Sequence, residues 1–102
     1  SMPPVRVRQV NIPVFFLREG KTVVAYSPAL DLSSCGENQA AAQRRFSRAV
    51  GLFLDELEDM GTMDEVLAGL GWTRMERPRS EWVPPHLLKQ TQMRVNLPAH
   101  AC

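Results

Sequence analysis

The sequence predicts an α+β domain in which an antiparallel sheet of three to four strands packs against one long helix, in the order β-β-β-α-α-β. Three observations predict it. Residues 14–36 hold three short β-rich runs divided by turn signals, residues 38–60 carry one apolar stripe at helical spacing, and a second capped helix pattern begins directly after Gly61. A chain of 102 residues is of single-domain size and can bury a modest core. We therefore read 1–102 as one domain, with its core in 5–72 and a loop with a candidate last strand in 73–98.

At the start, Val5, Val7, Val10, Ile12 and Val14 alternate with polar residues, but the phase slips by one around Gln9. Such a slip is absorbed by a β-bulge or marks where ordered strand begins. Pro13 cannot donate to a ladder, which places this run at a sheet edge or a bulge. Val14-Phe15-Phe16-Leu17 is apolar on both faces, as expected of a strand with the helix on one side and further cover, such as a second subunit, on the other. Arg18-Glu19-Gly20-Lys21 reads as a hairpin loop into Thr22-Val23-Val24-Ala25-Tyr26. Ser27-Pro28 breaks that strand, and a third runs from Asp31 to Gly36.

Ala42, Phe46, Val50, Phe53, Leu57 and Met60 recur at steps of three and four, one face of a helix. The Asn38 side chain can serve a free first-turn N–H, and Gly61 can supply the left-handed residue that ends the helix. About 22 residues at about 1.5 Å each span roughly 33 Å, enough to cross a domain of this size. Thr62-Met63-Asp64-Glu65 forms a capping-box pattern, opening a second helix through Val66, Leu67 and Leu70 that closes at Gly71. Trp72 then covers the core edge. Residues 74–85 are polar and Pro-rich and read as a traversing loop anchored by Trp82 and Val83. Met93-Arg94-Val95-Asn96-Leu97 is a candidate last strand, and Ala99 to Cys102 is expected to be disordered.

Composition narrows the function classes. A hydrophobic fraction of 44%, a charged fraction of 23% and a formal charge of +1 are ordinary for a soluble protein and supply no global field for nucleic acid or anionic membrane. No apolar run approaches a membrane span, and no signal-peptide core is visible, so the expected location is cytoplasmic, with no membrane partner. Ser1 ahead of Met2 reads as a cloning remnant. Cys35 and Cys102 are the only cysteines; a disulfide between them is not expected in a reducing cytosol, and Cys35 reads as a small buried apolar residue.

Catalytic chemistry finds little support. His86 and His100 fall in the last quarter of the chain, away from Cys35 and from any serine at the end of a core element. His100 and Cys102 make one i, i+2 pair with no second pair at zinc-ligand spacing. The β region holds only Glu19, Asp31 and Glu37, too few converging carboxylates for a two-metal nuclease. Phosphate-binding glycine loops are absent. The expectation is therefore no catalytic residue, no metal and no cofactor. The long helix carries an unusual charge order: Arg44, Arg45 and Arg48 lie in its first half and Asp55, Glu56, Glu58 and Asp59 in its second, the reverse of what the helix dipole prefers. None of the arginines has an acidic residue at i+3 or i+4. Either this is a solvated charged face, or the two blocks are matched between antiparallel copies about a two-fold axis.

Several local motifs, in their order, resemble the HicB-like family, small proteins best known as antitoxins of HicA–HicB toxin–antitoxin pairs. Val24-Ala25-Tyr26-Ser27-Pro28-Ala29-Leu30 is similar to that family's strand and proline corner, Cys35-Gly36-Glu37-Asn38 to its glycine and helix cap, and Ala42 to its helix alanine. Gly61-Thr62 to Gly71-Trp72 resembles a short second helix of some members. The likeness covers Val23 to Trp72, about half of the chain. Ala41 departs from a glutamate common in the family. The resemblance implies a three-stranded sheet and helix similar to a partial ribonuclease-H-like fold without its catalytic carboxylates, together with dimerisation, partner binding and no enzyme activity. Family antitoxins usually add a C-terminal DNA-binding module, which the residues after Trp72 are too few to form.

Two functions follow as expectations. In the first, the chain is a non-enzymatic protein-binding module that neutralises a small basic RNA-cleaving toxin through Asp55, Glu56, Glu58 and Asp59, or a solitary HicB-like protein without a toxin. It would be a homodimer joined through Phe15, Phe16, Val24 and Tyr26, because a sheet face left uncovered would be a larger apolar patch than monomers usually expose. In the second, Arg6, Arg8, Arg44, Arg45 and Arg48 contact nucleic acid.

Overall fold

The computed structural model describes residues 8–99. Its elements are β1 (Phe15–Glu19), β2 (Thr22–Ser27), β3 (Leu32–Gly36), α1 (Gln39–Met60), α2 (Met63–Gly69), β4 (Thr73–Met75) and β5 (Glu81–Val83). The fold is α+β in the predicted element order: a three-stranded antiparallel sheet β1-β2-β3 with α1 on one face, followed by α2 and a separate two-stranded sheet β4-β5.

The first hairpin is tighter than the sequence suggested. β1 continues to Glu19, which pairs with Thr22, so the loop is only Gly20-Lys21. Gly20 takes φ 61° there, a left-handed conformation that glycine adopts without strain. Along β2 the residues alternate, Val23, Ala25 and Ser27 being buried while Thr22, Val24 and Tyr26 are half-buried. Val23 and Ala25 meet Ala42 and Phe46 of α1, and Ile12, Val14, Phe16, Leu32 and Val50 pack around this cluster.

Helix α1 begins and ends where its sequence signals lie. Asn38 is extended (φ −148°), and its Oδ1 accepts a 2.8 Å hydrogen bond from the Ala41 N–H. Gly61 at φ 69° turns the chain out of the helix; its N–H donates to the Glu58 carbonyl (3.1 Å) and the Thr62 N–H donates to the Leu57 carbonyl (2.9 Å). At the other end β3 passes very close to the helix: a Cβ on Gly36 would lie 2.5 Å from the Ala42 nitrogen. This glycine sets how near sheet and helix can come.

The predicted capping box at α2 does not form, and Thr62 makes no side-chain cap hydrogen bond. The Thr62 N–H that Glu65 was expected to serve is already used by Leu57 in the exit turn of α1. α2 buries Leu67, and Trp72 closes the region behind it. The Trp72 N–H donates to the Leu67 carbonyl (3.0 Å) and its indole Nε1 donates to the Ala29 carbonyl (2.8 Å). Ala29 also donates its N–H to Ser27 Oγ (3.2 Å), so the proline corner between β2 and β3 is fastened from both sides.

Two expectations about strands are corrected, and a third, left open by the sequence, is decided. Residues 74–85 are not a plain loop: β4 and β5 pair antiparallel, Arg74 opposite Trp82, around a connection that contains the cis Arg77-Pro78 peptide. Met93 to Leu97 joins no sheet, so the main sheet has three strands. Residues 8–14 form no strand either; Pro13 interrupts the donors, and the ladder starts at Phe15. Val5 and Val7 lie outside the described residues.

Candidate partner-binding surfaces

The sheet has one face against α1 and one turned away from it. Register decides which side chain goes where. Phe15 lies opposite Tyr26 and Leu17 opposite Val24, with Ser33 and Cys35 of β3 beside Tyr26 and Val24 respectively, so these residues share the outer face. Leu17 is 52% exposed, Cys35 is exposed, and Phe15, Val24 and Tyr26 are half-buried. Phe16 sits opposite Ala25 and packs on the helix-side core. Of the four residues expected at an oligomer interface, Phe15, Val24 and Tyr26 are thus brought together, and Phe16 belongs to the interior. Leu17 and Cys35 complete the outer face. Leu17 is signalled by its two-residue spacing from Phe15, whereas Cys35, expected to be buried, is exposed because its register opposite Val24 places it on the outer face.

A polar contact closes one end of this face. The Tyr26 hydroxyl donates a 3.0 Å hydrogen bond to Asp31 Oδ1. Because that bond needs the phenol proton, it raises the Tyr26 pKa above the usual 10.0; desolvation and the nearby Asp31 charge act in the same direction. Asp31 itself occupies a left-handed turn position, φ 48°.

The second surface is the solvent side of α1. Arg44, Arg45, Arg48, Asp55, Glu56, Glu58 and Asp59 are all exposed. Among the described residues, the ion pairs in the chain are Arg8 with Glu81 and Arg74 with Asp64 and Glu76, none of them on α1. The acidic residues gather in the last two turns as expected, and the arginines in the first half. Leu52 between the two blocks is 63% exposed and lies off the core-facing apolar stripe. Since α1 covers the inner face of the sheet, this surface and the outer sheet face look in different directions.

The remaining expected cation is engaged elsewhere. Arg8 pairs with Glu81 and donates from Nη1 to the Trp82 carbonyl at 2.8 Å, fastening the N-terminal segment to β5. Arg74 is held by Asp64 (3.1 Å) and Ser80 Oγ (2.8 Å) and stands over the Trp82 ring, 5.6 Å from its centroid, while Trp82 Nε1 donates to Asp64 Oδ1 (3.1 Å). Arg8 is therefore a fastening residue of the small sheet and not part of a patch with the α1 arginines. Arg6 lies outside the described residues.

An open cleft of about 600 Å³ runs between residues 8–13 and 83–87, lined by Arg8, Asn11, Ile12, Pro84, Pro85 and His86 among others. Its lining holds one imidazole and neither a carboxylate nor a serine, threonine or cysteine that the imidazole could activate. Among the described residues no three His, Cys, Asp or Glu side chains gather into a metal-binding group, and no helix is long and apolar enough to cross a membrane. His100 and Cys102 lie outside the described residues. No protein-family model matches the chain, and no curated protein or solved structure shows a significant match to it.

Proposed function

We propose that the chain is a non-enzymatic protein-binding module of HicB-like type, acting in the cytoplasm as a homodimer and masking a small basic RNA-cleaving protein. The observation that carries the reading is the pair of uncovered surfaces on a compact sheet-and-helix body: an outer sheet face with Phe15, Leu17, Val24 and Tyr26, and an acidic end of α1 with Asp55, Glu56, Glu58 and Asp59. The element order adds support, since the resemblance implies the same strand, strand, strand, helix arrangement. An acidic helix end suits a partner whose RNA-binding face is basic: opposite charge steers the encounter, and steric cover blocks the RNA. The apolar sheet face fits self-association.

Co-expression with the product of the neighbouring gene tests the proposal. Co-purification of a small basic protein, lost on reversing Asp55 and Glu58 to lysine, is the expected result. Absence of any such neighbour and of any co-purifying partner would sink the toxin-masking function.

A second reading is nucleic-acid binding through Arg44, Arg45 and Arg48, favoured by their exposure and by the lack of carboxylate partners for them within the described residues. Three such cations would bind weakly and with steep salt dependence. A gel shift with duplex DNA or RNA at low ionic strength that disappears in the triple arginine-to-alanine variant is its expected signature, and no shift at low salt removes it.

A further inference from the structure

The solvent flank of α1 has a pattern whose spacing reads the same from both ends and whose charge changes sign at its centre. At about 100° per residue, Arg45, Arg48, Leu52, Glu56 and Asp59 fall within one sector about 80° wide, and all five are exposed. Their spacing is three, four, four, three, with the leucine at the centre, two cations on its N-terminal side and two anions on its C-terminal side. A half-turn about an axis through Leu52 lays Arg45 over Asp59 and Arg48 over Glu56. Within one chain the same residues repel: Arg45 and Arg48 are like charges at i, i+3, and so are Glu56 and Asp59. None of the four makes an ion pair among the described residues. The one large apolar residue of the stripe, Leu52, is 63% exposed and lies on the symmetry point.

We propose that this flank is a homotypic interface, on which α1 of a second copy docks antiparallel with Leu52 against Leu52, Arg45 against Asp59 and Arg48 against Glu56. The charge arrangement selects a second copy over an unrelated partner, because a two-fold contact requires a patch complementary to itself and this stripe is one. An unrelated acidic or basic ligand would satisfy half of the stripe and repel the other half. Both intrachain repulsions are relieved in the docked pair, since each charge gains an opposite neighbour. The proposal uses the self-association of the functional reading but not its toxin, and it divides the acidic residues. Glu56 and Asp59 face the second copy, while Asp55 and Glu58 fall outside the sector, about 20° and about 80° beyond its Arg48 edge, and stay open to a basic partner. If the outer sheet face also pairs, two different two-fold contacts make a tetramer; if not, α1 alone makes the dimer.

Two double variants of the whole chain test the interface. Arg45→Glu with Arg48→Glu makes the stripe wholly acidic, and Glu56→Lys with Asp59→Lys makes it wholly basic. The four positions are exposed, so each variant should keep the far-ultraviolet circular dichroism of the parent. In sedimentation at low salt each alone should drop one association step, its dissociation constant rising at least about tenfold, and an equimolar mixture should recover the parent mass as a mixed assembly. Leu52→Asp sets two carboxylates against each other across the axis and should cause the same loss with the charged pairs intact. A parent that sediments as a monomer, a double variant that keeps the parent mass, or a mixture no heavier than its components overturns the proposal. Co-purification of a basic protein is read separately, so failure of the interface and failure of the masking function are distinguishable.

Discussion

Between β2 and α1 the inward-facing apolar side chains pack against one another, with Ala25 and Ala42 fully enclosed and Phe46 between helix and sheet, whereas every residue of β4 is exposed and β5 is only half-buried. What fastens the small sheet is polar: Arg8 to Glu81, Arg74 to Asp64 and Ser80, and Trp82 to Asp64. The two regions draw on forces of different size. Apolar burial contributes about 25 cal/mol for each Å² removed from water, so a single enclosed aromatic contributes about 1.5–3 kcal/mol. Exposed ion pairs contribute about 0–1 kcal/mol and weaken with salt. The sheet–helix body should therefore unfold as one cooperative unit, while β4-β5 opens locally at low cost.

The sharpest way to break this contrast is in the core. Phe46→Ala leaves a cavity between α1 and β2 and should destabilise the chain by about 3–5 kcal/mol in denaturant titration; a loss below about 1 kcal/mol would mean that the cluster around Val23 and Ala25 does not carry the fold. Gly36→Ala comes next. Its added methyl would lie 2.5 Å from the Ala42 nitrogen and 2.7 Å from the Ala41 carbonyl carbon, both backbone atoms that cannot swing aside. Sheet and helix must then move apart, at a cost of about 1–3 kcal/mol, measurable as a lower midpoint in the same titration.

Arg74→Ala tests the other region. It removes three polar contacts and a stacked cation at an exposed site, so global stability should fall by about 1 kcal/mol or less. Hydrogen exchange of the β4-β5 amides should accelerate while that of β2 is unchanged. Equal acceleration in both sheets would show that the two regions are coupled more tightly than their contacts indicate.

The smallest effect concerns Tyr26, the only tyrosine in the chain, so phenolate absorbance reports it alone. Its pKa is raised above 10.0 chiefly by the hydrogen bond to Asp31. A raised folded-state value means that the contact's stabilisation is fully present below the ordinary tyrosine pKa and is lost as the pH climbs through the raised one. Stability near neutrality should not respond. Asp31→Gly, which removes both the acceptor and the charge and suits the left-handed turn, should bring the titration down towards 10.0; a midpoint that stays where it was would remove Asp31 as the cause.

The body was far more legible in the sequence than the β4-β5 hairpin and the α1 flank. Asn38 and Gly61 delimit α1 through hydrogen bonds to residues three or four positions away, and the stripe from Ala42 to Leu57 needs only helical geometry. The hairpin around Gly20-Lys21 is equally local. β4-β5 was hidden because Arg74, Glu76, Arg77 and Arg79 give a polar composition that matches a loop, and its fastening contacts reach to Arg8, outside the segment. On α1 the arginine and acidic blocks are visible in the sequence, but Leu52 looks like any core residue until its exposure is seen.

By itself the sequence determined the fold class, the order of the first five elements and the two ends of α1, because periodicity, capping and tight turns act within a few residues. Tertiary structure alone decided that Phe16 faces Ala25 and the helix while Phe15 faces out, since that choice depends on pairing across the hairpin, and a shift by one residue exchanges the faces. It alone brought the Trp72 indole to the Ala29 carbonyl across 43 positions of sequence, paired Arg74 with Trp82, and left Met93 to Leu97 outside the sheet. These depend on which distant groups arrive at the same place, and residue types along the chain do not encode that distance directly.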